Sequence, residues 1–175
     1  MTITQSSVAA MNVQFDKLLE RTSSDGFWSA YIASAMGNQQ LCGVHLAIFS
    51  QPYLDLVLAG EKKIESRFSR NRCAPFDEVR KGDIILIKEV AGPICGIVLA
   101  SRIWYFDLDI EPIDSIRRTY GESILADDRF WSDKEDSSFA TLIELENPSA
   151  IEPLDFKKRD RRGWVSLRPR QMDLF

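Results

Sequence analysis

The sequence holds one histidine, His45, in 175 residues. That scarcity excludes multi-histidine metal sites, so any hydrolysis by this chain is expected to use lysine, carboxylate, hydroxyl or water. Cysteine is also sparse. Cys42, Cys73 and Cys95 are odd in number, far apart and without C-x-x-C spacing, which speaks against a disulfide framework and a zinc site. They read as reduced core cysteines. No apolar run approaches the length needed to span a bilayer, and Met1 to Ala10 lacks the basic and apolar regions of a signal peptide. A cytoplasmic location with no membrane partner is expected, and nothing calls for a metal or a cofactor.

What the sequence does hold is charge, unevenly placed. The formal net charge is −4, which argues against a wholly basic nucleic-acid binder. From Lys157 to Arg170, however, Lys157, Lys158, Arg159, Arg161, Arg162, Arg168 and Arg170 face Asp160 alone. Between Tyr105 and Asp155 the balance reverses, with Asp107, Asp109, Glu111, Asp127, Asp128, Asp133, Glu135 and Asp136 outnumbering the bases. Such a chain can present a basic cleft on an acidic body.

The most concentrated polar segment is Gly60 to Arg67, reading GEKKIESR. Along an extended chain, Ile64, Ser66 and Phe68 would face one way and Lys63, Glu65 and Arg67 the other, as a row of alternating charge. The row suits a phosphate or the polarisation of a bond. It also suits a solvated strand face with local ion pairs.

Apolar spacing predicts a helix from Val8, through Met11, Phe15, Leu18 and Leu19, to a break at Ser23 to Gly26. A second helix is predicted over Phe27 to Met36. Residues 1 to about 7 are expected to be disordered. Strands follow at His45–Ser50, Lys62–Ser69, Ile84–Lys88, Ile94–Tyr105, Phe139–Leu145 and around Trp164–Leu167, with helices at Tyr53–Ala59 and Glu111–Leu125. Gly96 reads as a bulge or a close backbone approach. Five or six short strands without regular βαβ alternation predict an α+β fold, a small mixed β-barrel with covering helices.

The order strand, Ser50-x-Pro52, short helix, then G-x-K-x-x-E-x-R through Gly60, Lys62, Glu65 and Arg67 resembles the ASCH domains, whose fold is related to PUA domains. The turn Lys81-Gly82-Asp83, the strand through Ile97 and the terminal Gly163-Trp164 also fit that order. The resemblance covers about His45 to Leu167 and implies a PUA-like barrel over 44–167; it does not extend to the N-terminal helical extension expected over 1–43 or to the tail over 168–175. It further implies a cleft that accepts RNA, single-stranded nucleic acid or a nucleotide. The residues carried into that role are Lys62, Lys63, Glu65, Arg67, Arg70 and Lys88, with Trp104 and Trp131 as stacking surfaces.

Whether the chain is an enzyme stays open. Some small ASCH proteins hydrolyse N4-acetylcytidine with a lysine, a threonine and a glutamate. Here the lysine is matched by Lys62, whereas Glu65 stands at the threonine position and Val98 at that of the glutamate. If the chain is a ribonuclease or such a hydrolase, Lys62, Glu65 and Arg67 are the candidate catalytic groups.

The last residues, Gln171-Met172-Asp173-Leu174-Phe175, resemble the pentapeptide by which bacterial replication and repair proteins dock on the DNA sliding clamp. In that reading Gln171 hydrogen-bonds at one subsite. Met172, Leu174 and Phe175 fill apolar pockets at about 1.5–3 kcal/mol for each large side chain buried. The alternative is that Leu174 and Phe175 fold back onto the barrel.

Overall fold

The computed structural model describes residues 15–37, 42–157 and 161–170. The expected disordered start, the helix onset at Val8 and the clamp-like motif Gln171–Phe175 lie outside them. The elements run α1 (described over 15–21), α2 (Gly26–Gly37), β1 (Val44–Phe49), α3 (Tyr53–Leu58), β2 (Ile64–Ser69), β3 (Ile84–Glu89), β4 (Ile94–Asp107), α4 (Ile113–Ile124), α5 (Asp128–Asp133), β5 (Phe139–Leu154) and β6 (Trp164–Arg168). The six strands form one curled sheet in the order β2-β5-β4-β3-β1-β6. Only the β1–β3 pair is parallel. The result is an α+β half-barrel, open between β2 and β6.

Its strands are apolar on both faces because both faces are covered. In β1, Val44 and Leu46 enter one buried cluster while Ala47 and Phe49 enter another. In β3, Ile84 and Leu86 separate from Ile85 and Ile87 in the same way. The inner cluster is capped by Leu54 and Val57 of α3. Outside, α1 and α2 cover β1 and β3 through Phe15, Leu18, Trp28 and Ile32. At the β2–β5 end, Ile116 and Ile124 of α4 and Trp131 of α5 pack on Ile64, Ala140 and Leu142. The N-terminal helices are also pinned by polar contacts. Trp28 Nε1 donates to Asn147 O at 2.8 Å, Tyr31 Oη donates to Gly82 O at 2.6 Å and Arg21 Nη1 donates to Pro153 O at 2.9 Å.

Two elements differ from expectation. The fifth strand runs to Leu154 rather than stopping at Leu145, because Asn147 and Pro148 are absorbed in a bulge. Leu99 pairs with Glu146 and Ile97 with Ser149, so two residues of β5 oppose one of β4 and the proline has no ladder bond to make. The acidic stretch after α4 holds the unforeseen helix α5, whose N-cap is Asp127, its side chain accepting from Phe130 N at 2.8 Å. Gly96 has both properties expected of it. It lies at a register shift in β4, and a Cβ there would meet Leu58 Cδ2 at 2.6 Å. Of the cysteines read as core, Cys42 is buried, Cys95 half-buried and Cys73 exposed, the last in the irregular loop after β2.

One side chain spans the opening. From β2, Arg67 Nη2 donates to Ile48 O at 2.9 Å and Nη1 donates to Gly163 O at 3.2 Å, just ahead of β6. The guanidinium lies over the rings of Phe49 and Trp164, 5.3 and 5.5 Å from their centroids. Gly163 makes this approach feasible, since a Cβ there would stand 3.0 Å from Arg67 Nη1. Arg67 is thus a latch joining the two ends of the sheet.

A second polar knot fixes the far ends of β1, β3 and β6. The Asp83 carboxylate accepts from Gly43 N at 2.7 Å, Arg80 N at 2.7 Å, His45 Nε2 at 3.0 Å and Arg170 Nη2 at 3.1 Å. Trp164 Nε1 donates to His45 Nδ1 at 3.2 Å, which fixes the tautomer with the hydrogen on Nε2. Burial alone would raise the Asp83 pKa, but the hydrogen bonds from His45, Gly43 and Arg80 outweigh it and hold the pKa below the ordinary aspartate value.

Two predictions follow from these ties. Arg67→Met removes two charge-assisted hydrogen bonds and is expected to lower the unfolding free energy by about 2–4 kcal/mol in a urea titration. An unchanged midpoint would mean the latch is not structural. For Asp83, a depressed folded pKa contributes stability above the unfolded aspartate pKa of about 3.9, lost as pH falls through that value towards the folded one. Asp83→Asn is expected to cost about 3–5 kcal/mol at neutral pH and to flatten that acid limb, as followed by unfolding across pH.

Candidate functional site

The cleft begins where α3 ends. Gly60, at φ +72°, turns the chain out of the helix, and the N–H groups of Glu61 and Lys62 both donate to Leu56 O, at 2.9 and 3.0 Å. This turn places Lys62 ahead of β2, outside the strand alternation. Its side chain runs inward and is 4% exposed. Lys62 Nζ donates to Ile124 O at 2.5 Å, at the C-terminal end of α4, where carbonyls lack intrahelical partners and a cation is favoured. The ammonium also lies 3.7 Å from Glu65 Oε2 and 5.4 Å from the centroid of the Tyr53 ring.

Burial pushes the Lys62 pKa below the ordinary lysine value. Glu65 acts to raise it again, and Arg67 adds to the lowering. Glu65, 7% exposed, is held between the two cations: its Oε1 lies 2.7 Å from Arg67 Nε, at ion-pair distance but off the N–H axis. Tyr53 has its phenol pKa raised, by burial first and by the charges of Asp127 and Glu65 after it, so its hydroxyl stays a neutral donor and acceptor.

Around these groups lies a cleft of about 310 Å³, at the lower end of the usual range for small-molecule sites. Its apolar walls are Phe49 of β1, Tyr53 of α3, Phe68 of β2 and Phe130 of α5. Hydroxyls come from Ser50, Tyr53 and Ser66. Lys134, its ammonium 5.4 Å from the Phe130 ring centroid, supplies a third cation at the rim. The arrangement combines ring faces for stacking, two or three positive groups, one carboxylate and several hydroxyls.

The structure brings together Lys62, Glu65 and Arg67 of the sequence-derived set and separates the rest. Lys63 is exposed and does not line the cleft; Lys62, held by the end of α3, takes the place that alternation had given it. Arg70 is exposed and pairs with Asp136 at 3.1 Å. Lys88 donates to Glu89 O and Gly92 O at the turn between β3 and β4. Trp104 packs on Tyr120, with ring centroids 5.2 Å apart, in the outer cluster. Trp131 is 5% exposed against Phe68. One helical position away, Phe130 is the α5 aromatic that faces the cleft. Arg67 does not present a free fork to a phosphate, since one N–H of each terminal nitrogen is held by a carbonyl.

Sequence reasoning missed Phe49, Ser50, Tyr53, Phe130 and Lys134. The signal for Phe130 was the N-cap Asp127 three residues before it. The position compared with a catalytic glutamate, Val98, is fully buried in the inner cluster. Ser66, 7% exposed, and Tyr53 bring hydroxyls to the cleft that the motif comparison did not include. Among the described residues, no group of His, Cys, Asp and Glu could hold a metal ion, and no helix is long and apolar enough to cross a membrane.

No protein-family model and no curated protein matches the chain by sequence. Among solved structures, the crystal structure of the ASCH protein from Zymomonas mobilis is similar, with a TM-score of 0.58 at 16% identity over 71% of this chain and 87% of that one. A single-residue variant of the same protein gives a TM-score of 0.58 at 15% identity, over 71% of this chain and 88% of that one. At this identity the likeness is one of architecture, and the chain has the fold of ASCH-domain structures.

Proposed function

We propose that this chain binds a nucleotide unit of RNA or single-stranded nucleic acid in the cleft above Lys62. The observation that carries the reading is a buried ammonium at the floor of a space walled by four aromatic rings. Tyr53 and Phe68 each pack at an angle on Phe130, and a base can stack on the open face of one of these rings at about 1–3 kcal/mol. Lys62 keeps donor capacity beyond its bond to Ile124 O, and Glu65 can accept from an exocyclic amine. Arg67 then acts by positioning Glu65 and by adding positive field.

Lys62 is costly to keep. A lysine pKa lowered on folding means that the unfolded chain binds the proton more tightly, so below the folded pKa this group opposes folding. Such a residue is a candidate for function rather than stability.

Hydrolysis of RNA or of a modified nucleoside such as N4-acetylcytidine is the second reading. It is favoured by the lowered Lys62 pKa beside Glu65, Tyr53 and Ser66, which suits proton transfer. Product formation on incubation with RNA or with N4-acetylcytidine separates it from binding alone. Docking on a sliding clamp through Gln171, Met172, Leu174 and Phe175 remains part of the proposal. Arg170, the residue just before the motif, is anchored on Lys81 O at 2.6 Å and on Asp83.

Lys62→Met is expected to weaken binding of nucleoside monophosphates at least about tenfold, roughly 1.4 kcal/mol, in titration calorimetry. Its melting temperature is expected to stay level or rise. Unchanged binding would refute the cleft reading, and a fall of several degrees would make Lys62 a structural cap. Removing Gln171–Phe175 is expected to abolish binding to a bacterial sliding clamp while nucleotide affinity stays the same, as read by surface plasmon resonance.

A further inference from the structure

A larger basic concavity adjoins the cleft. The turn at 90–93, residues 155–157 and residues 161–163 border about 830 Å³, more than twice the volume of the cleft. Among the described residues its lining gathers Lys88, Lys157, Arg161 and Arg162 against one carboxylate, Asp155, in a chain whose formal charge is −4. Lys88 is 7% exposed and its ammonium is held by the Glu89 and Gly92 carbonyls, so that charge is fixed in the floor. Lys157 and Arg161 are exposed at the rim.

A run of positive charge is usually a solvated face, and on a flat surface it would carry no more than that. Here the charges line a hollow, where low-dielectric walls focus the field. The hollow also borders the cleft across the Arg67 latch. Ile48 lines both, and Gly163, which borders the hollow, gives its carbonyl to Arg67 of the cleft. Among its lining residues the only aromatic is Phe156, against four rings in the cleft. The chemistry therefore divides: ring faces suited to a base on one side of the latch, and cations suited to phosphates on the other.

We propose that this groove carries the phosphodiester backbone of nucleotides flanking the one in the cleft, so that the ligand is a single-stranded oligonucleotide rather than a free nucleotide. The inference rests on the cleft reading for its direction. A cleft of this size admits a base only when it is unstacked from its neighbours, which a single strand permits without breaking a duplex. Backbone phosphates then run over Ile48 and Gly163 towards Arg161 and Lys157.

The test compares the full chain with the double charge reversal Lys157→Glu, Arg161→Glu. Binding of fluorescein-labelled decanucleotides of uridine and of deoxyuridine is followed by anisotropy across salt concentrations, and binding of uridine monophosphate by calorimetry. The double variant is expected to lose at least about tenfold in decanucleotide affinity. Its slope of log affinity against log salt is expected to fall by about 0.7 for each phosphate contact removed. Monophosphate affinity and melting temperature are expected to stay at the parent values. Decanucleotide affinity and salt slope equal to the parent would overturn the groove, whatever the monophosphate does. Failure of the parent to bind monophosphate would instead count against the cleft reading, while the decanucleotide comparison still decides the groove. The two sugars distinguish RNA from DNA as the source of the backbone.

Discussion

The Arg67 guanidinium holds the architecture together at the place where the sheet does not close. A six-stranded sheet of this curvature leaves β2 and β6 as facing edges without a ladder between them. The Gly163 carbonyl already accepts from Ile48 N at 2.9 Å, and a planar cation with several N–H groups adds a second bond to it while also serving the Ile48 carbonyl. The same side chain stacks against Phe49 and Trp164, so the polar bridge and the inner core share a wall. Glu65, packed against Arg67 Nε, inherits its position from the latch. The geometry of the cleft is thus set by an interaction whose first effect is to complete the fold.

Lys62 is bound to the structure in a different sense. Its hydrogen bond to Ile124 O joins the exit of α3 to the C-terminal end of α4, two elements far apart in sequence. The helix end and Glu65 offset part of the cost of burying the ammonium, and its lowered pKa shows that the offset is incomplete. A fold optimised for stability alone has no need of a lysine there. That imbalance separates it from Arg67, whose contacts are as well explained by architecture as by ligand chemistry.

Much of this was legible in the sequence. The uninterrupted apolar runs of β1 and β3 reflect burial on both faces, and the motif from Gly60 to Arg67 led to the cleft. What could not be read were contacts set by distant segments. Alternation grouped Lys63 with Glu65 and Arg67, but the bonds to Leu56 O place Lys62 before the strand, where period-two reasoning does not apply. The fork of Arg67 looked free because its acceptors are carbonyls, which every sequence contains and no sequence marks. Asn147-Pro148 has the composition of a turn, yet the opposing strand tolerates it as a bulge. Trp131 was the more conspicuous aromatic of α5, but the rotation of a six-residue helix turned it to the core and Phe130 to the cleft.

The cleft has walls of two kinds. Phe49 and Glu65 come from the sheet and are tied into the core and the latch, whereas Lys62 is tied to Ile124 O at the end of α4 and Phe68 packs on Phe130 and Trp131 of α5. Phe130 and Lys134 come from the segment between β4 and β5, a surface excursion resting on the outer cluster. Changes in that excursion need not disturb the sheet register. The sheet can therefore stay the same while the residues around α5 that form one wall of the cleft change.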